Sequence, residues 1–182
     1  MKRKGEHEAT PCAFCGALRR KALNLAARKV GANKVATAHT LDDEAQTILL
    51  NVFHGDVLRI AREKPVTDQV HPKLVQKIKP FCEIPEKETA MYAYLKKVKF
   101  QSKPCPYASE ALRNDVRMML NKVEEKHAGT KFTIFRSMER IRPALEEIDK
   151  KQRLSECTEC GETTSEKICR TCQMLAQIAQ TR

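Results

Sequence analysis

The chain has 182 residues, and its 34 Lys and Arg against 23 Asp and Glu give a formal net charge of +11. This excess favours a polyanionic partner, most simply nucleic acid. No apolar run is long enough to cross a membrane, and the charged start lacks the apolar region of a signal peptide. Aromatic residues make up only 5% of the chain, which argues against an aromatic platform for single strands.

The first half of the chain reads as helix, strand, helix, which is a piece of an α/β layered domain. Apolar residues at helical spacing predict a helix over residues 17–30, which Gly31 ends. A strand-like run follows at residues 34–38. Thr40 and Asp43 then form a capping-box pattern at the start of a second helix. The predicted inward residues of the two helices are Leu18, Ala22, Leu25, Ala26 and Val30, then Ala45, Ile48, Leu49, Val52 and Phe53.

The second half alternates irregular segments with three further helices. Residues 56–80 are predicted to be irregular with a strand at 74–78, and Pro85 suits the first position of a helix. A rigid proline-flanked loop holds Cys105, and another helix follows it. After a hinge and a basic segment, a short helix is predicted from Pro143 to about Lys151. The predicted inward residues are Ala90, Met91, Tyr94, Leu95 and Val98, then Leu112, Val116, Met119, Leu120 and Val123.

Four late cysteines carry the most specific signal in the sequence. Their order is Cys157-x-x-Cys160 followed by Cys169-x-x-Cys172. This spacing is typical of a structural Zn²⁺ site, in which four thiolates hold the metal in a tetrahedron. Gly161 permits the tight turn after the first pair. With four ligands the site is closed, so its predicted role is structural or recognitional.

An early pair, Cys12-x-x-Cys15, joins with Cys105 into a set of three thiols without an obvious fourth ligand. A three-thiolate site leaves one coordination position open, and an open position can support chemistry. The following helix and its basic run from Arg19 favour the thiolate form. Two alternatives stay open: half of another zinc site completed by Cys82 or a histidine, and a redox dithiol. C-x-x-C pairs without an export signal place the chain in the reducing cytosol.

Acidic residues follow the first strand at Asp42, Asp43 and Glu44. Carboxylates at the end of a parallel strand can hold Mg²⁺ or a reacting group, but these residues would cap the helix in any case. His39 at the strand end is equally compatible with a structural role. Three basic runs, at residues 19–21, 96–99 and 136–142, together with the net charge favour contact with RNA or DNA over solubility alone.

These motifs, in this order, resemble the tRNA 2-thiouridine synthetases of the TtuA and cytoplasmic tRNA 2-thiolation group, within the PP-loop ATP-pyrophosphatases. The resemblance covers about residues 11–175. It is carried by the segments Cys12-Ala-Phe-Cys15-Gly-Ala-Leu-Arg-Arg, Gly31-Ala-Asn-Lys-Val-Ala-Thr-Ala-His-Thr-Leu-Asp-Asp-Glu-Ala-Gln-Thr, Lys79-Pro-Phe-Cys-Glu-Ile-Pro-Glu-Lys-Glu88, Cys105-Pro-Tyr and the four-cysteine tail.

The resemblance implies an α/β fold, namely a partial PP-loop domain (adenine nucleotide alpha hydrolase-like) with a small C-terminal zinc ribbon. Members adenylate the C2 oxygen of a tRNA uridine with ATP and Mg²⁺ and replace it with sulfur. It implies a [4Fe-4S] cluster on Cys12, Cys15 and Cys105. Arg19, Ala38, His39 and Asp43 would lie at the nucleotide site, with Asp43 the acidic catalytic candidate. Sulfur would come from a ubiquitin-like carrier or another sulfide source, and the tail would help to hold tRNA.

The sequence departs from the family at its start. A Ser-Gly-Gly-x-Asp-Ser phosphate loop should precede Cys12, but residues 1–11 contain none. We therefore expect the C-terminal portion of a cytoplasmic tRNA-thiolating sulfurtransferase, homodimeric when complete, with the loop supplied by an N-terminal PP-loop segment or chain. The expected divisions are a flexible start at 1–10, a partial PP-loop domain at 11–142, and a linker helix with zinc finger at 143–182. The alternatives are a non-catalytic zinc and RNA-binding module and an iron–sulfur or redox carrier.

Overall fold

The structure is a computed structural model that describes residues 10–103, 105–108, 111–149 and 154–180. Within these ranges the chain forms helices and four short strands, which confirms the predicted α/β class. Most of the predicted flexible start at 1–10 lies outside the described residues. In chain order the elements are α1 (Pro11–Lys29), β1 (Lys34–Ala36), α2 (Leu41–Phe53), α3 (Val57–Arg62), β2 (Gln76–Ile78), α4 (Glu86–Leu95), α5 (Leu112–Lys126), α6 (Thr130–Asp149), β3 (Ser155–Glu156), β4 (Thr163–Thr164) and α7 (Arg170–Gln180).

The described chain divides into two compact units that interleave in sequence. The first unit comprises the described parts of Met1–Val35, Gln69–Val75 and Gln152–Arg182. The second unit comprises those of Ala36–Asp68 and Gln76–Lys151. These limits describe contacts within the folded chain, whereas the predicted division into 11–142 and 143–182 concerns functional domains and stays a prediction.

Helix α2 lies at the centre of the second unit, where it packs against α5 and α6, and α3 also packs against α6. Its apolar residues enter two neighbouring clusters. One joins Leu41 and Ile48 to Phe135 and Met138 of α6, and the other joins Ala45 to residues of α5. Leu41, Ala45 and Ile48 are spaced at i, i+4 and i+7 and share one face of α2, so this face contributes to both clusters and fixes the helix against α5 and α6.

The strands β1 and β2 form a two-stranded sheet, close to the predicted strand positions. The Thr37 N–H donates to the Ile78 carbonyl at 2.9 Å, and Val66 forms an antiparallel bridge with Ile78. The loop between β1 and α2 therefore leaves the sheet edge at residue 38 and enters the helix at Thr40. The predicted Thr40 and Asp43 capping pair is confirmed.

Two predictions about the helices are wrong. Residues 56–80 are not irregular throughout, because Asp56 caps the short helix α3 by accepting a hydrogen bond from the Arg59 N–H at 3.0 Å. Pro143 does not begin a helix but lies inside α6. A proline inside a helix removes one hydrogen bond. In α6 the apolar stripe of Phe135 and Met138 continues past it to Leu145, so burial against the core outweighs that loss.

The inward faces predicted for α1 and α4 are also wrong. Helix α1 buries Ala17, Asn24 and Ala27, whereas 77% of Val30 is exposed. Helix α4 has no buried residue in the structure. Helical spacing finds an apolar face, but it cannot tell whether the described chain supplies a partner for that face.

Candidate functional site

The four late cysteines meet at one point of the first unit. The sulfur atoms of Cys157, Cys160, Cys169 and Cys172 all lie within 4.8 Å of one another. The Cys160 and Cys169 sulfurs are 3.7 Å apart. Thiolates at 2.3 Å from a tetrahedral Zn²⁺ would be about 3.8 Å apart, so the donor set fits this metal. The sequence therefore predicted correctly which residues come together here.

Local structure explains how the segment at residues 155–172, called the ribbon below, brings these sulfurs together. Strands β3 and β4 pair antiparallel, with Ser155 opposite Thr164. Between these strands the chain reverses in a tight turn at residues 157–162, called the knuckle below. In this turn the Cys157 N–H donates to the Glu162 carbonyl, and the Gly161 N–H donates to the Cys157 carbonyl. Gly161 has a φ of +68°, a conformation that favours glycine, as expected from its place after Cys160. The second cysteine pair stands at the start of α7.

Hydrogen bonds and burial shift the pKa values of the ribbon thiols in different directions. The backbone N–H of Cys169 donates to the Cys157 sulfur at 3.2 Å and is the main reason that the pKa of Cys157 falls to about 6. Burial raises the pKa of Cys172 to about 12, and the neighbouring thiols add to that rise. Burial opposes the charge on Lys21, but a hydrogen bond with Cys160 and the charges of Cys160, Cys172 and Cys169 together outweigh it and raise the pKa of Lys21. Since metals bind thiolates, loading this site should release protons.

The early cysteine pair occupies the first turns of α1. Thr10 caps this helix by accepting a hydrogen bond from the Ala13 N–H at 3.3 Å. Cys12 and Cys15 are exposed and lie one helical turn apart, and Arg19 is exposed one turn further on. Cys105 belongs to the second unit, where it is also exposed.

The predicted nucleotide-site residues lie where the chain passes from β1 into α2. Ala38 and His39 are exposed in this loop. The His39 Nδ1 atom lies 2.9 Å from the Thr37 hydroxyl. Partial desolvation lowers the pKa of His39, although the negative charge of Asp43 opposes that shift. Asp43 is half-buried, and its carboxylate accepts hydrogen bonds from the Thr40 N–H at 3.0 Å and the Thr40 hydroxyl at 3.1 Å.

A buried charge cluster next to this loop was missed by the sequence analysis. The Lys79 ammonium lies 2.8 Å from a Glu44 oxygen and also pairs with Glu63. Only 9% of the Lys79 side chain is exposed. Burial opposes its charge, but the two carboxylates outweigh burial and raise the pKa of Lys79. Glu44 was read as a helix cap, and no sequence spacing connects it with a lysine at the end of β2.

A second missed interaction fixes the α2 N-terminus. Asp42 is buried, accepts a hydrogen bond from the Glu86 N–H at 2.7 Å and pairs with Lys131 of α6. Burial opposes ionisation of Asp42, but these donors outweigh it and hold the pKa of its carboxyl below the ordinary value. Asp42 and Glu44 thus anchor the helix, while Asp43 between them remains at the loop.

Comparison with known proteins identifies the family of this chain. The model of the PP-loop domain family matches residues 14–124. The chain therefore belongs to the PP-loop family.

Its relatives include several tRNA-modifying proteins. The tRNA 2-thiolation protein NcsA of Haloferax volcanii is 35% identical over 96% of this chain and 57% of its own length. The tRNA-5-methyluridine(54) 2-sulfurtransferase of Pyrococcus horikoshii is 34% identical over 90% of this chain and 52% of its own. Among solved structures, the U34-tRNA thiolase NcsA from Methanococcus maripaludis with its [4Fe-4S] cluster matches with a TM-score of 0.76 and 34% identity, covering 94% of this chain and 54% of that one. The chain spans about half the length of these relatives.

Proposed function

We propose that this chain carries the cysteine and tRNA-contacting part of an enzyme that forms 2-thiouridine in tRNA. The observation that supports this most directly is the 0.76 TM-score match, over 94% of the chain, to a tRNA thiolase with its [4Fe-4S] cluster. Relatives named as tRNA 2-thiolation proteins and sulfurtransferases agree with it.

Cys12, Cys15 and Cys105 would hold the [4Fe-4S] cluster. Their exposure fits this role, because thiols that ligate a reactive cluster must be accessible to iron and to the incoming substrate. A cluster bound by three protein thiolates supplies one iron without a protein ligand, at which sulfur can be delivered. In this proposal the part of α1 around the cysteines presents two of the ligands together.

Arg19, Ala38, His39 and Asp43 would face the nucleotide. The loop before α2 exposes Ala38 and His39 and keeps Asp43 at its edge, which suits contact with ATP and Mg²⁺. Asp43 is the proposed acidic catalytic residue. Residues 1–182 contain no Ser-Gly-Gly-x-Asp-Ser segment, so the proposed reaction needs a phosphate loop from a PP-loop segment outside these residues, whether in the same or a separate chain.

The polyanionic partner in this proposal is tRNA. The net charge of +11 and the basic runs supply cations for phosphate contacts. The zinc ribbon would add a rigid contact surface. A ubiquitin-like carrier or another sulfide source would deliver sulfur, and the complete enzyme would act as a homodimer in the cytoplasm. Within the described residues, no helix has the length and hydropathy needed to cross a bilayer.

Reconstitution tests the proposal directly. The purified chain, incubated anaerobically with iron and sulfide, should become brown and bind iron, and Cys105→Ala should not. Supplied with a protein carrying the phosphate loop, ATP and sulfide, it should form 2-thiouridine, detected by mass spectrometry of digested tRNA. A colourless wild-type chain that binds only zinc would contradict the proposal.

That negative result would favour the second candidate, a non-catalytic zinc and RNA-binding module. The observation favouring this alternative is the closed four-thiolate group in a strongly basic chain. A brown protein that carries the cluster but never supports thiolation, with any phosphate-loop partner, would instead favour an iron–sulfur or redox carrier.

A further inference from the structure

One face of α1 is polar and is bonded along its length to the rest of the first unit. Lys21, Asn24 and Arg28 follow each other at helical spacing and therefore share this face. The Arg28 guanidinium donates to both carboxylate oxygens of Glu162, at 2.8 and 3.4 Å. Lys21 hydrogen-bonds with Cys160. Two of the three residues thus contact the knuckle that holds the first cysteine pair.

The third residue connects α1 with the segment 69–75. Asn24 is buried, and its amide donates to the Lys73 carbonyl at 2.8 Å while accepting from the Val75 N–H at 2.9 Å. The side chain of Lys73 then continues to the ribbon, where it donates to the Gly161 carbonyl at 2.9 Å and pairs with Glu156 at 2.7 Å. The helix, the segment and the knuckle form one continuous polar network.

Helix α1 buries only small or polar side chains. Its buried residues are Ala17, Asn24 and Ala27, and it packs against α7, which begins within the ribbon. Large apolar residues such as Leu23 are exposed on it. Most of the stability of a helix in a protein comes from tertiary packing rather than from helix propensity, so the order of α1 depends on what packs against it. In this unit the packing partners belong to the ribbon and to the segment bonded to it.

We propose that the ribbon is the support that orders α1, so that metal in the four-thiolate site fixes the helix that presents Cys12 and Cys15. Arg28 and Asn24 are the positioning residues of this coupling. A small four-cysteine ribbon folds through its metal, since metal binding supplies much of its folding free energy. The ribbon is then not only a surface for RNA: its metal content controls the geometry of a second thiol site on another element. The part of this inference that concerns iron rests on the proposed function.

Hydrogen–deuterium exchange on the full chain tests the coupling without any need for iron. In Arg28→Ala the amides of α1 should exchange about tenfold faster, the effect of losing one charge-assisted interaction, while zinc per chain is unchanged. Lys29→Ala is the matched control, because Lys29 is exposed in the same last turn. Cys169→Ser should lose zinc and accelerate exchange throughout α1.

Reversing the charges of Arg28 and Glu162 distinguishes loss of the contact that holds α1 from general damage to the fold. Arg28→Glu and Glu162→Arg should each accelerate exchange in α1, and the double variant should restore protection because the pair is reformed with its signs reversed. Iron bound after anaerobic reconstitution should fall in the single variants and recover in the double variant. If the wild type binds no iron, the proposed function fails while the exchange measurements still decide the coupling. Equal α1 exchange in the wild type, Arg28→Ala and zinc-free Cys169→Ser would overturn it.

Discussion

At the scale of single residues, Cys82 differs from the other described cysteines in its surroundings. It is half-buried against the cluster of Leu41, Ile48, Phe135 and Met138. Burial raises the pKa of its thiol, and the negative charge of Glu44 adds to the rise. A thiol held neutral in an apolar setting is a poor metal ligand and acts as a small apolar residue.

We therefore expect Cys82→Ala to leave iron and zinc contents unchanged and to lower the free energy of unfolding by only about 1 kcal/mol, the scale of one lost buried group. Metal analysis after reconstitution measures the first effect and urea denaturation the second. Cys105→Ala is the control that should lose iron. Loss of iron from Cys82→Ala would mean a cluster with four cysteine ligands and would refute the open iron site.

Asp42 should make the free energy of unfolding depend on pH in the acidic range. Its folded pKa lies below the ordinary value of 3.8, so its contribution is present above about pH 4 and is lost as the pH falls through the folded pKa. Asp42→Asn leaves the buried Lys131 without its counter-charge, which should cost about 3 kcal/mol at pH 7. The difference from wild type should shrink as the pH falls from 4 to 2.

Urea denaturation at a series of pH values measures this difference. Asp68→Asn is a matched control, because Asp68 pairs with Lys64 but 66% of its side chain is exposed. An exposed pair is worth less than about 1 kcal/mol, so this variant should stay close to wild type at pH 7. A constant gap between Asp42→Asn and wild type down to pH 2 would show that Asp42 does not titrate in this range.

At the scale of elements, α6 shows how burial outweighs a local helix breaker. We expect Phe135→Ala to lower the free energy of unfolding by about 3–5 kcal/mol, because Phe135 is 2% exposed and its loss leaves a cavity beside α2. Ile141→Ala, on the same helix but half-exposed, should cost less than about 1 kcal/mol. Chemical denaturation compares the two. Equal costs would show that α6 does not pack on α2 through Phe135.

At the scale of the whole molecule, the net charge predicts that the chain binds RNA and that the affinity depends on salt concentration. With a net charge of +11, the chain should bind tRNA without ATP, since phosphate contacts need only placed cations. The logarithm of the affinity should fall with the logarithm of salt concentration, with a slope of about −0.7 to −0.9 for each phosphate contacted. Fluorescence anisotropy with labelled tRNA at several salt concentrations measures this slope. Undetectable or salt-insensitive binding would reject the proposed tRNA contact.

The sequence alone determined the features that depend on local spacing. The paired cysteines from Cys157 to Cys172 predicted a four-thiolate group because each C-x-x-C turn already places two sulfurs together. The capping pair of Thr40 and Asp43 was likewise readable, since hydrogen bonds within one turn fix it. Family membership followed from the order of these local motifs along the chain.

Only the tertiary structure decided which helix faces are buried and which charged side chains form ion pairs. The partners Lys79 and Glu44, Lys131 and Asp42, and Arg28 and Glu162 are far apart in sequence, so no local period connects them. The apolar positions of α1 and α4 were visible, but burial depends on what packs against a helix. The structure shows α1 held instead through small and polar residues, because the ribbon and the segment at 69–75 offer it hydrogen-bonding groups.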